Sequence, residues 1–408
     1  MKPFLNRNST DLLISVWLCS GAILALLGNA ASDVWLTSVA VIFIVRSFIL
    51  GDWAWTREPW VQMSGLFWIW ILSVSTFSPW QSSNLGDAAA WIRFPIFAIG
   101  FATLFGQNPK ISIDRLAIFT CFGLAIFIGA LVIEKIGNPD AERLYGTWGQ
   151  NIKAGWYLFG FGLPVSLWAI WKANTNWRTL LWGGPLVLCI VGAFLLAGDV
   201  YVTLSYLFGI TIFLAFNGKH WRRTAMFGAA ALVSIGCVFF FFPDTADRYV
   251  WSLRTRLPWM ESSDYFVPWM RGLNAGLLQP FFGLGVGVYE EACNALPQIS
   301  VLDVGDYRTL GCQNHPHQLY IQTFAETGTV GLLIFSLAVL LIVFNGVSFK
   351  RFFAQTEAQL AAFCLLVVAF WPISTYSDAF GQHRNFFTWF LAAWALALRY
   401  KSKSDGKA

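Results

Sequence analysis

"HQLYIQTFAETGTVGLLIFSLAVLLIVFNG", residues 317 to 346, decides the fold. About 20 consecutive apolar residues cross a bilayer as a helix, and this run exceeds that length with Glu326 as its only charge. Comparable runs recur outward from it, at 11–29, 33–50, 60–77, 86–106, 115–136, 152–171, 179–197, 200–216, 224–243, 358–376 and 383–399. Hydrophobic residues make up 57% of the 408 positions and charged ones 12%, against about 45–50% and about 25% in soluble domains. Water could not solvate so much apolar surface. The expected fold class is an all-α polytopic membrane protein of about 12 transmembrane helices, a single domain over 1–408, with a large outer loop at 244–316 between the ninth and tenth spans.

A net charge of +5 could signal nucleic acid, but the positions of the charges exclude that reading. The short loops at 30–32, 78–85, 198–199 and 377–382 hold no Lys or Arg. Lys2, Arg7, Arg57, Lys110, Arg115, Lys172, Arg178, Lys219, Arg222, Arg223, Lys350 and Arg351 fall on the other side, with the basic tail. This is the positive-inside pattern, and it expects both termini in the cytoplasm. The "GNAAS" after the first apolar run resembles a cleavage site. Removing that run would leave the tail on the wrong side, so it is read as an uncleaved span.

The first expected span on the C-terminal side of the large loop opens at His315, Pro316 and His317, which include two of the four histidines in the chain. Proline suits a first helical turn, so His317 is expected in that turn, where the helix dipole would keep its imidazole neutral for work as a general base. Tyr320 and Phe324 share its face, and Glu326, half a revolution away on an unbroken helix, reads as a packing or interhelical partner. A satisfied interfacial histidine is the plainer alternative. Cys312, His315 and His317 are three neighbouring metal-type ligands, but no spaced second pair completes a zinc pattern, so no metal and no cofactor are expected. Gly283, Gly285 and Gly287 lack dinucleotide-fold spacing. They read as a tight turn allowing close backbone approach, with direct phosphate contact as the second reading. Cys293 and Cys312 share the loop, as a disulfide or as two thiols.

Arginine forms the second constellation. Arg46, Arg93 and Arg384 fall within expected spans, where a charge must face a partner or a wet cavity. With Arg143, Arg248, Arg254, Arg256, Arg271 and Arg308 they make the outer half rich in guanidinium, a group that binds phosphate bidentately. For any one of them, an ion pair with Asp87, Asp378 or Glu134 is the alternative. A base beside phosphate binders points to a transferase using a polyprenyl-diphosphate donor, with electrostatic catalysis and no metal.

Three segments resemble the O-antigen ligase family of the Wzy-C superfamily. "HQLYIQTFAETGTVGLL" is similar to the signature H-N-x-x-L-Q…E-T-G-x-x-G, with His317 at the histidine and Gln318 replacing asparagine. "WMRGLNAGLLQPFFGLGVGVY" places Arg271 near the family's functional arginine, and in "RLYGTWGQNIKAGWYL" Arg143 and Asn151 match while Lys153 is unusual. Where many relatives carry Ser-Arg, this chain has Asp199 and Val200. Arg93, Arg143 or Lys153 would then supply the charge, and Val200→Arg would preserve or raise activity if that register is right.

The resemblance implies an inner-membrane, inverting, metal-independent glycosyltransferase. It would move O-antigen from undecaprenyl diphosphate to a sugar hydroxyl of lipid A-core at the periplasmic leaflet, among membrane lipids, which makes the large loop periplasmic. His317 would be the base and Arg271 a catalytic cation. Arg143, Arg93, Lys153, Arg248, Arg254, Arg256, His315, Tyr320, Asp378, His383 and Arg384 would bind substrate. The competing readings are an O-antigen polymerase, a protein O-oligosaccharyltransferase and a non-enzymatic lipid-linked-sugar flippase. Polymerases often carry R-x10-G in two loops, and none of the loop arginines has glycine at that spacing.

Overall fold

The computed structural model describes residues 7–80, 84–146, 154–175, 177–217, 221–257, 260, 263, 265–300, 312–345, 356–375 and 378–405. Among them every regular element is helical. In chain order these are α1 (Arg7–Cys19), α2 (Gly21–Ala25), α3 (Asn29–Leu50), α4 (Pro59–Thr76), α5 (Leu85–Ala90), α6 (Arg93–Gln107) and α7 (Ile113–Gly137). Then come α8 (Ala154–Tyr157), continued through a π turn into α9 (Leu163–Thr175), α10 (Leu180–Ala197), α11 (Val200–Phe216) and α12 (Trp221–Phe241). The remainder are α13 (Pro243–Thr255), α14 (Phe266–Leu278), α15 (Tyr289–Ala295), α16 (Pro297–Ser300), α17 (Leu319–Phe344), α18 (Glu357–Ala369) and α19 (Gln382–Asp405).

Helices stand in each of the twelve apolar intervals, but their lengths divide them. Six described stretches are long and apolar enough to cross a membrane: Asn29–Leu50, Leu85–Gln107, Ile113–Gly137, Ala154–Ala173, Leu180–Ala197 and Leu319–Phe344. A seventh exists if Ala225–Phe241 and Pro243–Thr255, bent by 112°, count as one broken span. The apolar helices Ser9–Cys19, Val200–Phe216 and Glu357–Ala369 are shorter. Outward-facing Phe48, Leu181 and Leu232 are 69%, 71% and 70% exposed, the apolar rim that lipid would cover.

The bundle packs around α3, α6 and α19. Trp35 is fully buried, with the rings of Phe97, Phe101, Phe386 and Phe390 at 5.3, 6.2, 6.0 and 6.0 Å. Its indole N–H donates to the Trp17 carbonyl at 2.7 Å, so the ring is buried without an unsatisfied donor. Helix starts follow local chemistry: Ser112 caps α7 by accepting from the Arg115 N–H, and Thr356 with Gln359 forms a capping box on α18.

Among its described residues, the stretch expected as a large loop carries four helices, α13 to α16. Pro243 opens α13 at the sharp bend after α12. Ala275, Leu284, Val288, Tyr289, Ala292, Cys293, Ile299 and Ala325 form a second apolar cluster, which joins α14 and α15 to α17. A Cys293–Cys312 disulfide closes this cluster and settles the choice left open by the sequence.

Candidate functional site

α17 begins later than the proline implied. Gln318 is its N-cap, extended at φ −149°, with its side-chain oxygen accepting from the Ile321 N–H. His317 therefore precedes the helix, at φ +58°, in the left-handed region that non-glycine residues rarely occupy. The expectation of a first-turn histidine is corrected, because the glutamine side chain takes the capping role one residue after it.

The backbone turn aims His317 into a cluster of rings and charges. Its imidazole lies 4.3 Å from that of His315 and 5.7 Å from the Tyr265 ring, edge-on to both. Tyr265 in turn packs 4.8 Å from Tyr201 of α11. Arg143, Asp199 and Arg256 are close enough to act on the Tyr265 side chain electrostatically. Burial pushes the Tyr265 phenol above its ordinary value, and the Asp199 charge adds to this while Arg143 and Arg256 oppose it. The phenol therefore remains protonated around neutrality and can donate a hydrogen bond. Arg248 completes this side: its Nε donates to the Gly198 carbonyl at 2.9 Å and its terminal nitrogen pairs with Glu142 at 2.5 Å.

Arg271 arrives by helix packing. Gly272 and Gly276, one turn apart on α14, lie against Pro316, Ile321 and Phe324. A Cβ on Gly272 would sit 2.6 Å from Ile321 and 2.7 Å from Pro316. Removing two Cβ atoms lets α14 press directly onto the segment carrying His317, bringing the 3%-exposed Arg271 with it. The electrostatic influence of Arg271 reaches the Tyr289 phenol, as does that of Glu326.

Glu326 is fully buried, and its partner is a loop. Its carboxylate accepts from the Gly287 N–H at 2.9 Å and from Gln322 at 3.2 Å. Gln322 also donates to Asp378 at 3.0 Å and accepts from the Ala379 N–H at 2.7 Å. Two backbones meet beside this network: Leu284 N–H donates to the Ala325 carbonyl at 3.0 Å, Gly285 N–H to Glu326 at 2.9 Å, and Thr329 N–H to Pro280 at 2.7 Å. Gly328 breaks α17 at φ +68°, ψ −174°, and a Cβ there would strike the Phe281 backbone. The tight-turn reading of Gly283, Gly285 and Gly287 is the one the structure supports, because these amides already serve protein acceptors.

The remaining candidates divide. Arg93 is paired with Asp33 at 3.2 Å, a partner other than the three expected from sequence. Arg384 is 1% exposed, with its guanidinium 3.3 Å from the centre of the Trp156 ring. His383 Nδ1 lies 3.0 Å from Asn29, and the Tyr320 hydroxyl donates to the Phe370 carbonyl at 2.8 Å, tying α17 to the end of α18. Arg254 is exposed on α13. Lys153, Asn151 and Arg308 lie outside the described residues. Cys312, considered as a metal ligand, is taken up by the disulfide. Val200 is 5% exposed in the apolar core, so an arginine there must displace packed side chains. Sequence reasoning missed Tyr265 and Gln322, and it named Asp199 only as standing where many relatives carry Ser-Arg. The only signal for them was polar or phenolic groups in apolar surroundings.

These elements define a polytopic helical membrane protein whose histidine, phenol and guanidinium groups gather where connecting segments meet the helix ends. Residues 149–336 match the Wzy_C family model, described as O-Antigen ligase, a stretch that includes Tyr265, Arg271 and His317. Over that stretch, somewhat under half of the chain, the sequence is similar to the O-antigen ligase family. No curated protein matches the chain.

Proposed function

We propose that the protein is an O-antigen ligase that transfers polysaccharide from undecaprenyl diphosphate to a sugar hydroxyl of lipid A-core. The observation that carries this reading is the His317 imidazole set beside Tyr265, which feels the charge of Arg143, with the α14 glycines that flank Arg271 packed against the same segment. The acceptor oxygen attacks C1 of the donor's first sugar as the C1–O bond to diphosphate breaks, inverting that carbon. The hydroxyl proton passes to His317, and undecaprenyl diphosphate leaves with the bonding electron pair. Arg143 and Arg271 stabilise the charge growing on the diphosphate, and neutral Tyr265 donates a hydrogen bond beside them.

Twelve spans, cytoplasmic termini and an inner-membrane location belong to the same proposal, with residues 244–316 facing the periplasm. The Cys293–Cys312 bridge supports that side, since disulfides persist in oxidising compartments. The test is transfer in vitro by purified protein from undecaprenyl-diphosphate glycan, offered lipid A-core or a second undecaprenyl-linked glycan as acceptor, with and without EDTA. Transfer to lipid A-core that survives EDTA and is lost in His317→Ala is expected. Elongation of the second glycan alone makes the protein a polymerase, and full activity in a folded His317→Ala protein removes the base.

A further inference from the structure

Beside the His317 cluster lies a cleft of about 600 Å³ lined by Asp140, Glu142, Asp244, Asp247, Arg248, Trp251 and Arg256. Its floor is one face of α13: positions 244, 247, 248 and 251 are spaced at i, i+3, i+4 and i+7, which aligns them along a helix. Asp140 and Glu142 form the facing wall. At one end Arg256 stacks 4.3 Å from the centre of the Trp251 ring, leaving that side chain 48% exposed. Arg256 is also an electrostatic neighbour of Tyr265, whose ring lies 5.7 Å from that of His317.

Two features of the lining point away from phosphate and lipid tails. Four carboxylates against two guanidiniums leave the cleft with two net negative charges. Arg248, moreover, is engaged by Glu142 and the Gly198 carbonyl rather than directed at a ligand. A polyanion would be repelled here, and an aliphatic chain would strip water from carboxylates without replacing their hydrogen bonds. A chain of neutral hydroxyl groups fits both the charge and the shape. Its hydroxyls donate to carboxylates along the whole length, and the indole gives a flat apolar plate with room for a ring.

We infer that this cleft holds the glycan of the donor, taking several sugars beyond the one that reacts, and that it selects neutral or amino-bearing sugars over acidic ones. The inference rests on the transfer reading above, and the test separates the two. Full-length protein in nanodiscs is given the neutral glycan released by mild acid from the donor, and saturation-transfer NMR reads contact. Oligogalacturonate serves as the acidic probe. Contact with the neutral glycan alone is expected, reduced about tenfold in Trp251→Ala and in Asp244→Asn/Asp247→Asn, on the scale of losing an aromatic anchor. Both substitutions are at exposed positions, and a monodisperse elution profile checks folding. In the transfer assay the ratio of kcat/KM for a many-repeat donor to that for a single-repeat donor should fall by a similar factor.

No contact in the wild type, contact unchanged in both variants, or preferred contact with oligogalacturonate overturns the cleft assignment. Glycan contact at the cleft without transfer of either donor overturns the ligase reading and leaves the cleft standing.

Discussion

The aromatic bundle and the seam beneath His317 are both tightly closed, by opposite means. Around Trp35, four phenylalanine rings from two other helices fill space with side chains. Between residues 280–287 and 325–329 the backbones themselves touch, exchanging hydrogen bonds through positions where glycine leaves out a Cβ. Side-chain packing degrades by degrees, because neighbours shift to fill a gap. Backbone contact has no such slack. His317 and Arg271, the residues proposed to act on substrate, lie on the segments that lead into this seam, just before α17 and on α14.

The sharpest way to break this contrast is chemical. His317→Ala should lower transfer by about 10²–10⁴-fold, the range for a general base, with an unchanged thermal midpoint; a large loss of stability would make His317 a structural residue. Next is Gly328→Ala. Its Cβ would meet the Phe281 backbone at a positive φ, so a cost of about 3 kcal/mol or more is expected. Phe390→Leu in the bundle should cost less than half of that, and equal losses in thermal unfolding would erase the distinction. Breaking the bridge with Cys293→Ser/Cys312→Ser removes about 3 kcal/mol in the chain-entropy account, seen as a lower midpoint that reductant reproduces in the wild type. The smallest effect is Tyr265→Phe, at most about 1 kcal/mol for removing one buried hydroxyl. Because burial raises the Tyr265 value, the stability it lends is complete below the ordinary phenol range of about pH 10 and declines only above it. A wild-type stability or activity limb near pH 8 that vanishes in Tyr265→Phe would contradict this.

Much of the fold could be read from the chain because lipid imposes a simple code: apolar run, helix. The runs at 33–50, 115–136 and 179–197 reappear as α3, α7 and α10 with modest shifts at their ends. What escaped was non-local. Apolar periodicity continues smoothly across Gly328, so nothing in the run announces a break whose cause is the Phe281 backbone, 47 residues earlier. Glu326 was assigned a face by counting residues on a helix, but its carboxylate answers to Gly287. The His-Pro-His motif puts His317 in a first turn, but it precedes the helix, because Gln318 caps from its side chain. The arginines could be counted but not sorted: only the fold reveals that Arg93 meets Asp33 and Arg384 covers Trp156, while Arg143 reaches Tyr265.

The Cys293–Cys312 bond also makes the protein dependent on other machinery. It joins α15 to the stretch three residues before His315, so the polar seam and the histidine turn are secured by a bond the chain cannot make without an electron acceptor. Insertion into a membrane is then not the last step of maturation. Cells deprived of thiol oxidants at that membrane face would accumulate full-length, correctly inserted chains in which both cysteines react with maleimide, a population invisible to measurements of protein abundance.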